Sequence, residues 1–113
     1  MKTLVITNDY FPKKGGVSTY IKSFEDHLKF EKIIYAPNWA EGPNVVNSKS
    51  KFIFGSRTHL REIYQIINQH NIEIILHASS NPQFYLVDKL KNFGLKQYMI
   101  IHGAEFNVID SIP

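Results

Sequence analysis

Three short segments concentrate the residue types that bind ligands: Asn8 to Gly16, Ala78 to Asn81, and His102 to Glu105. Each follows an apolar run and is richer in Gly, Asn, Ser, His and acid than its surroundings. In the first, Gly15-Gly16 precedes a helical stripe. Glycine lets a backbone approach a ligand closely, and a helix start offers free N–H groups to an anion, so a diphosphate is the natural guest. A bare glycine pair suits a flexible turn equally well. Neither G-x-G-x-x-G nor G-x-x-x-x-G-K-[ST] occurs, so neither a nicotinamide cofactor nor P-loop chemistry is expected. His102 follows Met99-Ile100-Ile101 and precedes Gly103. A histidine there can bond a sugar hydroxyl or stabilise developing charge without acting as a base, or it can be structural. Glu105 can partner the same sugar or brace its own loop. The histidines at 27, 59, 70, 77 and 102 lack metal-binding spacing and there is no cysteine, so no metal and no cofactor is expected.

A second kind of chemistry sits between positions 49 and 61, where Lys49, Lys51, Arg57 and Arg61 surround Phe52-Ile53-Phe54. Such a patch lies against anionic lipid headgroups, or else forms an edge strand and a solvated helix start. No RNA- or DNA-binding motif surrounds it, so no nucleic-acid partner is expected. Lys13-Lys14 adds charge beside the glycine pair or is a solvated loop tip. The net charge of +3 suits anionic partners without selecting one.

The elements that must position these segments alternate. Leu4 to Thr7 is a short apolar run of the kind found in buried parallel strands. Val17, Tyr20, Ile21, Phe24 and Leu28 form one helical stripe. Lys32 to Ala36 is a second strand stopped by Pro37, and 38–50 is irregular with a Gly42-Pro43-Asn44 turn. Lys51 to Phe54 is a brief third strand. A helix over 58–70 follows, with Leu60, Ile63, Tyr64 and Ile67 on one face, then a strand over 72–77. Asn81-Pro82 starts a helix that ends at Gly94, a left-handed cap, and Gln97 to Ile101 is the last strand. This order predicts an α/β fold, a Rossmann-like half-domain with a mainly parallel sheet and helices on both faces. In such sheets ligands bind beyond the carboxyl ends of the strands, where all three polar segments fall. The 113 residues, 43% hydrophobic, fit one small domain with a real core. The stop after a strand predicts an incomplete fold, and no apolar run is long enough to span a membrane.

The residues Asn8-Asp9-Tyr10-Phe11-Pro12-Lys13-Lys14-Gly15-Gly16-Val17-Ser18-Thr19-Tyr20 resemble the N-terminal signature of retaining GT-B glycosyltransferases, and Ile101-His102-Gly103-Ala104-Glu105 resembles their H-G-x-E segment. Ser111-Ile112-Pro113 fits the phosphatidylinositol mannosyltransferase-like group. The resemblance implies that residues 1–113 are the N-terminal, acceptor-side domain of a two-domain enzyme, truncated before its end and without its nucleotide-binding partner. It implies transfer of a hexose from a nucleotide sugar, with retention, to a glycan or lipid-linked acceptor; a cytoplasmic location is expected, peripheral at the inner membrane face if the basic patch of Lys49, Lys51, Arg57 and Arg61 meets lipid. By matching position Gly15, Gly16, His102 and Glu105 would meet the donor diphosphate and sugar, with His102 at the reaction centre. Asp9, Tyr10, Lys13, Ser79 and Asn81 would border the acceptor. Lys13 stands where many relatives have a second proline, and the family's acidic E-x7-E motif is absent. The contrasting reading is a stand-alone Rossmann-like binding module or inactive remnant, without catalysis.

Overall fold

The computed structural model describes residues 2–8, 10–12, 31–78, 83–101 and 105–109. Its strands are β1 (Lys2–Ile6), β2 (Glu31–Ala36), β3 (Val45–Asn47), β4 (Ile74–His77), β5 (Lys96–Ile101) and β6 (Glu105–Ile109), and its helices α1 (Arg57–His70) and α2 (Gln83–Leu90), the latter extended by a 3₁₀ turn over Lys91–Phe93. They form one six-stranded sheet in the order β3-β2-β1-β4-β5-β6. β1 to β5 run parallel, with Ile6 opposite both Tyr35 and His77. The α/β, Rossmann-like class expected from the sequence is the one observed.

Apolar alternation on the strands builds two cores. Leu4, Ile6, Ile33, Tyr35 and Ile75 face α1 and α2 and pack with Ile53, Ile63, Ile66, Ile67, Leu86 and Leu90. Val5, Ile34, Ala36, Leu76 and Ala78 face the other way and pack with Tyr10 and Ala40, against which Trp39 and Tyr98 lean. A strand buried on both faces needs a continuous apolar run, and Leu4-Val5-Ile6 supplies it at the sheet's centre. Both described helices cover the first face. The helix expected over 17–28 lies outside the described residues, as does the Asn81-Pro82 helix start.

Five expectations need correction. Lys51–Phe54 is not a strand, because Ile53 and Phe54 bond to the side chains of Asn8 and His59 instead of a neighbouring strand. The third strand is Val45–Asn47, inside the segment read as irregular, where two valines follow a turn. The strand expected from 72 begins at Ile74, because the Ile72 amide still bonds to Ile67 O of α1. Residues 105–109 pair antiparallel with β5, Glu105 opposite Ile101, a strand not foreseen. The buried side of α1 is also rotated: His59, Ile63, Ile66 and Ile67 are inside, whereas Tyr64 is exposed against Phe93, ring centres 5.0 Å apart.

Helix ends follow local chemistry. Ser56 caps α1, its Oγ accepting from His59 N at 3.3 Å, and His59 returns the bond by accepting from the Ser56 amide. Histidine here fills the place that glutamate or glutamine takes in a capping box. Asn71 ends α1 at φ 52°. Gly94 ends the 3₁₀ turn at φ 69°, its N–H donating to Lys91 O, in the left-handed conformation the sequence predicts. A Cβ at Gly94 would meet nothing within 4 Å. Gly94→Ala should therefore cost about 1 kcal/mol through backbone angle alone, and Gly94→Asn less. Thermal melts of the two variants check this, and an unchanged Gly94→Ala melt would refute it.

Candidate functional site

Parallel pairing puts the carboxyl ends of β1, β2, β4 and β5 on one edge of the sheet. Successive connections reverse direction there: β2 and β3 add on one side of β1, and β4 and β5 on the other. This is the topological switch point at which open α/β sheets take ligands. Asn8 and Ala78 leave the sheet side by side at this reversal, their strands in register at Ile6 and His77.

Beside it is an open cleft of about 520 Å³, lined by Asn8, Pro12, Trp39, Lys51 and Phe52. Every lining residue lies past the carboxyl end of a strand. The cleft is assembled by side chains bonding to backbone. Asn8 Nδ2 donates to Ile53 O at 2.7 Å and Asn8 Oδ1 accepts from Ile53 N at 2.6 Å. The Trp39 indole N–H donates to Lys51 O at 3.1 Å. Asn47 Nδ2 bridges Pro37 O and Ala40 O, fixing the turn that carries Trp39. Phe11 O accepts from Glu41 N, and the Phe11–Pro12 peptide is cis. What these bonds leave exposed at the cleft are the Phe52 ring and the Lys51 side chain.

The surrounding polar groups are structural. The Gln97 amide donates to Val87 O of α2 at 3.1 Å, which turns its oxygen to His77, so His77 Nε2 carries a proton and donates to it at 2.5 Å. That chain joins β4, β5 and α2. Tyr35 donates to Glu62 at 2.5 Å; burial first, then the Glu62 bond, pushes its phenol well above the ordinary range, against a smaller opposing bond with Ser48. Tyr35 is a neutral donor at every working pH.

Of the residues singled out from sequence, Asp9, Lys13, Gly15, Gly16, Ser79, Asn81 and His102 lie outside the described residues. Tyr10 is buried, edge-on to Phe11 at 5.2 Å, and sits over Gly42, whose added Cβ would lie 3.5 Å from its ring. Glu105 opens β6. Lys49, Lys51, Arg57 and Arg61 are all exposed, and Phe52 and Phe54 are 47% and 55% exposed on either side of fully buried Ile53. Among the described residues no helix is long and apolar enough to cross a membrane, and no cluster of three His, Asp or Glu could hold a metal ion. Sequence reasoning missed Trp39 and the role of Asn8. A lone tryptophan just past a strand-ending proline was the available signal for the first; nothing local marks the second.

Asn8→Ala would strip both Ile53 backbone groups of partners, and should lower stability by about 2 kcal/mol. Asn8→Asp should also destabilise, because a carboxylate accepts from the Ile53 amide but repels its carbonyl. Urea unfolding of both variants is the measurement, and wild-type midpoints would refute the clamp.

No protein-family model matches the chain. It is similar to the GDP-mannose-dependent alpha-(1-6)-phosphatidylinositol monomannoside mannosyltransferase of Mycolicibacterium smegmatis, at 25% identity over 116 residues covering 90% of this chain and 30% of that protein. Proteins of the same name from two strains of Mycobacterium tuberculosis match at 25% over 120 residues, 92% of this chain and 31% of theirs. The chain thus spans under a third of the length of these relatives. The similarity supports a glycosyltransferase-like relationship at low identity.

Proposed function

We propose that this chain is the acceptor-side part of a retaining GT-B glycosyltransferase that moves a hexose, mannose from GDP-mannose by analogy with its relatives, to a lipid-linked acceptor. The observation that carries the reading is the match to mannosyltransferases along nine-tenths of the chain. The parallel sheet supports it, since β1, at the switch point, leads into the first signature segment. On this reading Gly15 and Gly16 would meet the donor diphosphate through backbone N–H groups, and His102 with Glu105 the donor sugar. Departure of the nucleoside diphosphate would be eased by such oriented donors and nearby cations, as in an oxyanion hole. Asp9, Tyr10, Lys13, Ser79 and Asn81 would border the acceptor. The half of the enzyme that holds the nucleotide would be supplied by sequence beyond these residues.

A lipid-linked acceptor calls for a membrane, and we assign that contact to Lys49, Lys51, Arg57 and Arg61 with Phe52, at the cytoplasmic face. Each cation near an anionic surface contributes about 1 kcal/mol. Co-sedimentation with phosphatidylglycerol vesicles should fall when the four cations become Gln and again when Phe52 becomes Ser, with no binding to phosphatidylcholine. Equal binding by wild type and variants would remove the patch from the reading.

The activity test uses the protein encoded by the whole reading frame containing this segment, with GDP-mannose and a mannosylated phosphatidylinositol. Gly16→Val should lower kcat/KM at least about tenfold, ~1.4 kcal/mol of transition-state stabilisation, with an unchanged melt, because a β-branched side chain blocks close approach of a diphosphate. No sugar transfer from any nucleotide hexose would defeat the function, whereas a fully active Gly16→Val would remove only Gly16 from the site.

A further inference from the structure

We propose that His59, neutral and with its proton on Nε2, is the positioning residue for the Lys51–Phe54 wall of the cleft, and that protonation of Nδ1 releases that wall at its Phe54 end. The inference stands on the geometry of the cleft and is independent of the transferase reading.

The imidazole of His59 is fully buried. Three backbone amides converge on Nδ1: Phe54 N at 3.2 Å, Gly55 N at 3.2 Å and Ser56 N at 3.3 Å. All three are donors, so Nδ1 must be the bare acceptor and the ring proton must sit on Nε2. Nε2 then donates to Ser50 Oγ at 3.0 Å. One ring thereby grips both ends of a short segment, Ser50 on one side and Phe54 to Ser56 on the other. Lys51 and Phe52, which line the cleft, hang between these two grips. Phe54 adds an edge-on contact with the same ring, centres 4.8 Å apart.

A second proton would go to Nδ1, the ring nitrogen that carries none, and would point an N–H at three other N–H groups. It would also set a positive charge in the first turn of α1, where the helix dipole already opposes cations. The charged group that acts on the ring is Glu62, three residues on in α1 and accepting from the Tyr35 hydroxyl of β2, which favours the protonated form. Burial outweighs Glu62 and holds the His59 pKa below its ordinary value. The sign follows: the folded state binds this proton less readily than the unfolded state. The stabilisation is complete above the ordinary histidine value of about 6.5 and is lost as pH falls toward the lowered one. The Asn8–Ile53 clamp contains no titrating group, and Nε2 keeps its proton and its bond to Ser50 Oγ, so only the Phe54–Ser56 end of the segment lets go.

Trp39 is the sole tryptophan, lines the same cleft and bonds to Lys51 O, so its emission reports on the wall. On the 113-residue chain, emission should shift to longer wavelength in a one-proton transition centred below about pH 6.5. Far-UV dichroism should hold through that range, and the Phe54, Gly55 and Ser56 amide resonances should move with the same midpoint. At pH 7.5 the His59 ring should give the Nε2–H tautomer in long-range nitrogen-15 spectra. His59→Gln keeps an acceptor at the capping position without titrating there, and should abolish the transition. Glu62→Gln should keep it, with the midpoint lowered. The proposal is overturned by emission indifferent to pH between 7.5 and 5, by the same transition in His59→Gln, by loss of helicity at the same midpoint, or by an Nδ1–H tautomer. If His59→Gln fails to fold, the amide midpoints and ring tautomer of the wild type decide alone.

Discussion

The arrangement depends on β1 pairing in parallel on both sides at once, with β2 and with β4. A strand so placed has no solvent face, and Leu4-Val5-Ile6 supplies apolar groups in both directions. Its two flanks then grow by crossovers that run opposite ways. That reversal leaves an opening at the carboxyl edge that no helix start can close, and the Asn8 loop and Ala78 leave the sheet there.

Around that opening the chain solves a recurrent difficulty in an uncommon way. Loop backbone near the core carries polar groups that must be paired, and among the described residues no strand pairs with residues 50–56. Side chains substitute for a strand: Asn8 presents one acceptor and one donor to Ile53 as a neighbouring backbone would, and His59 gathers three amides. Ile53 is thereby driven into the helix-side core, and Phe52 and Phe54 are turned outward. The exposure of those two rings is a consequence of the alternation about a buried Ile53, in a segment that forms no sheet.

This also explains where sequence reading succeeded. Strands and helices with a clear apolar period were legible, as was Gly94, because their causes are local. The position of Lys51–Phe54 was misread because Phe-Ile-Phe has the composition of a strand, while its partners lie 45 residues away in Asn8 and a few residues ahead in a histidine. A capping box with histidine at its third position carries no familiar signature, and α1 was therefore started one residue late. β6 was missed because 105–109 follows a polar segment that reads as a loop. Of the candidate site, the edge was foreseen through the order of elements. Trp39, and its meeting with Lys51, were not, since the two come together only after β2 and β3 align.

The brevity of β3 bears on how this sheet meets other proteins. An outer strand with free amides invites a foreign chain to pair with it, the first step in many aggregation routes. Here the flank beyond β2 is three residues long, and Asn47 at its end directs its amide back to Pro37 and Ala40. A strand arriving from outside would find too short a template to register against. The β3 flank is thus blunted against templated self-association by truncation, without the lysines or prolines that guard longer edges.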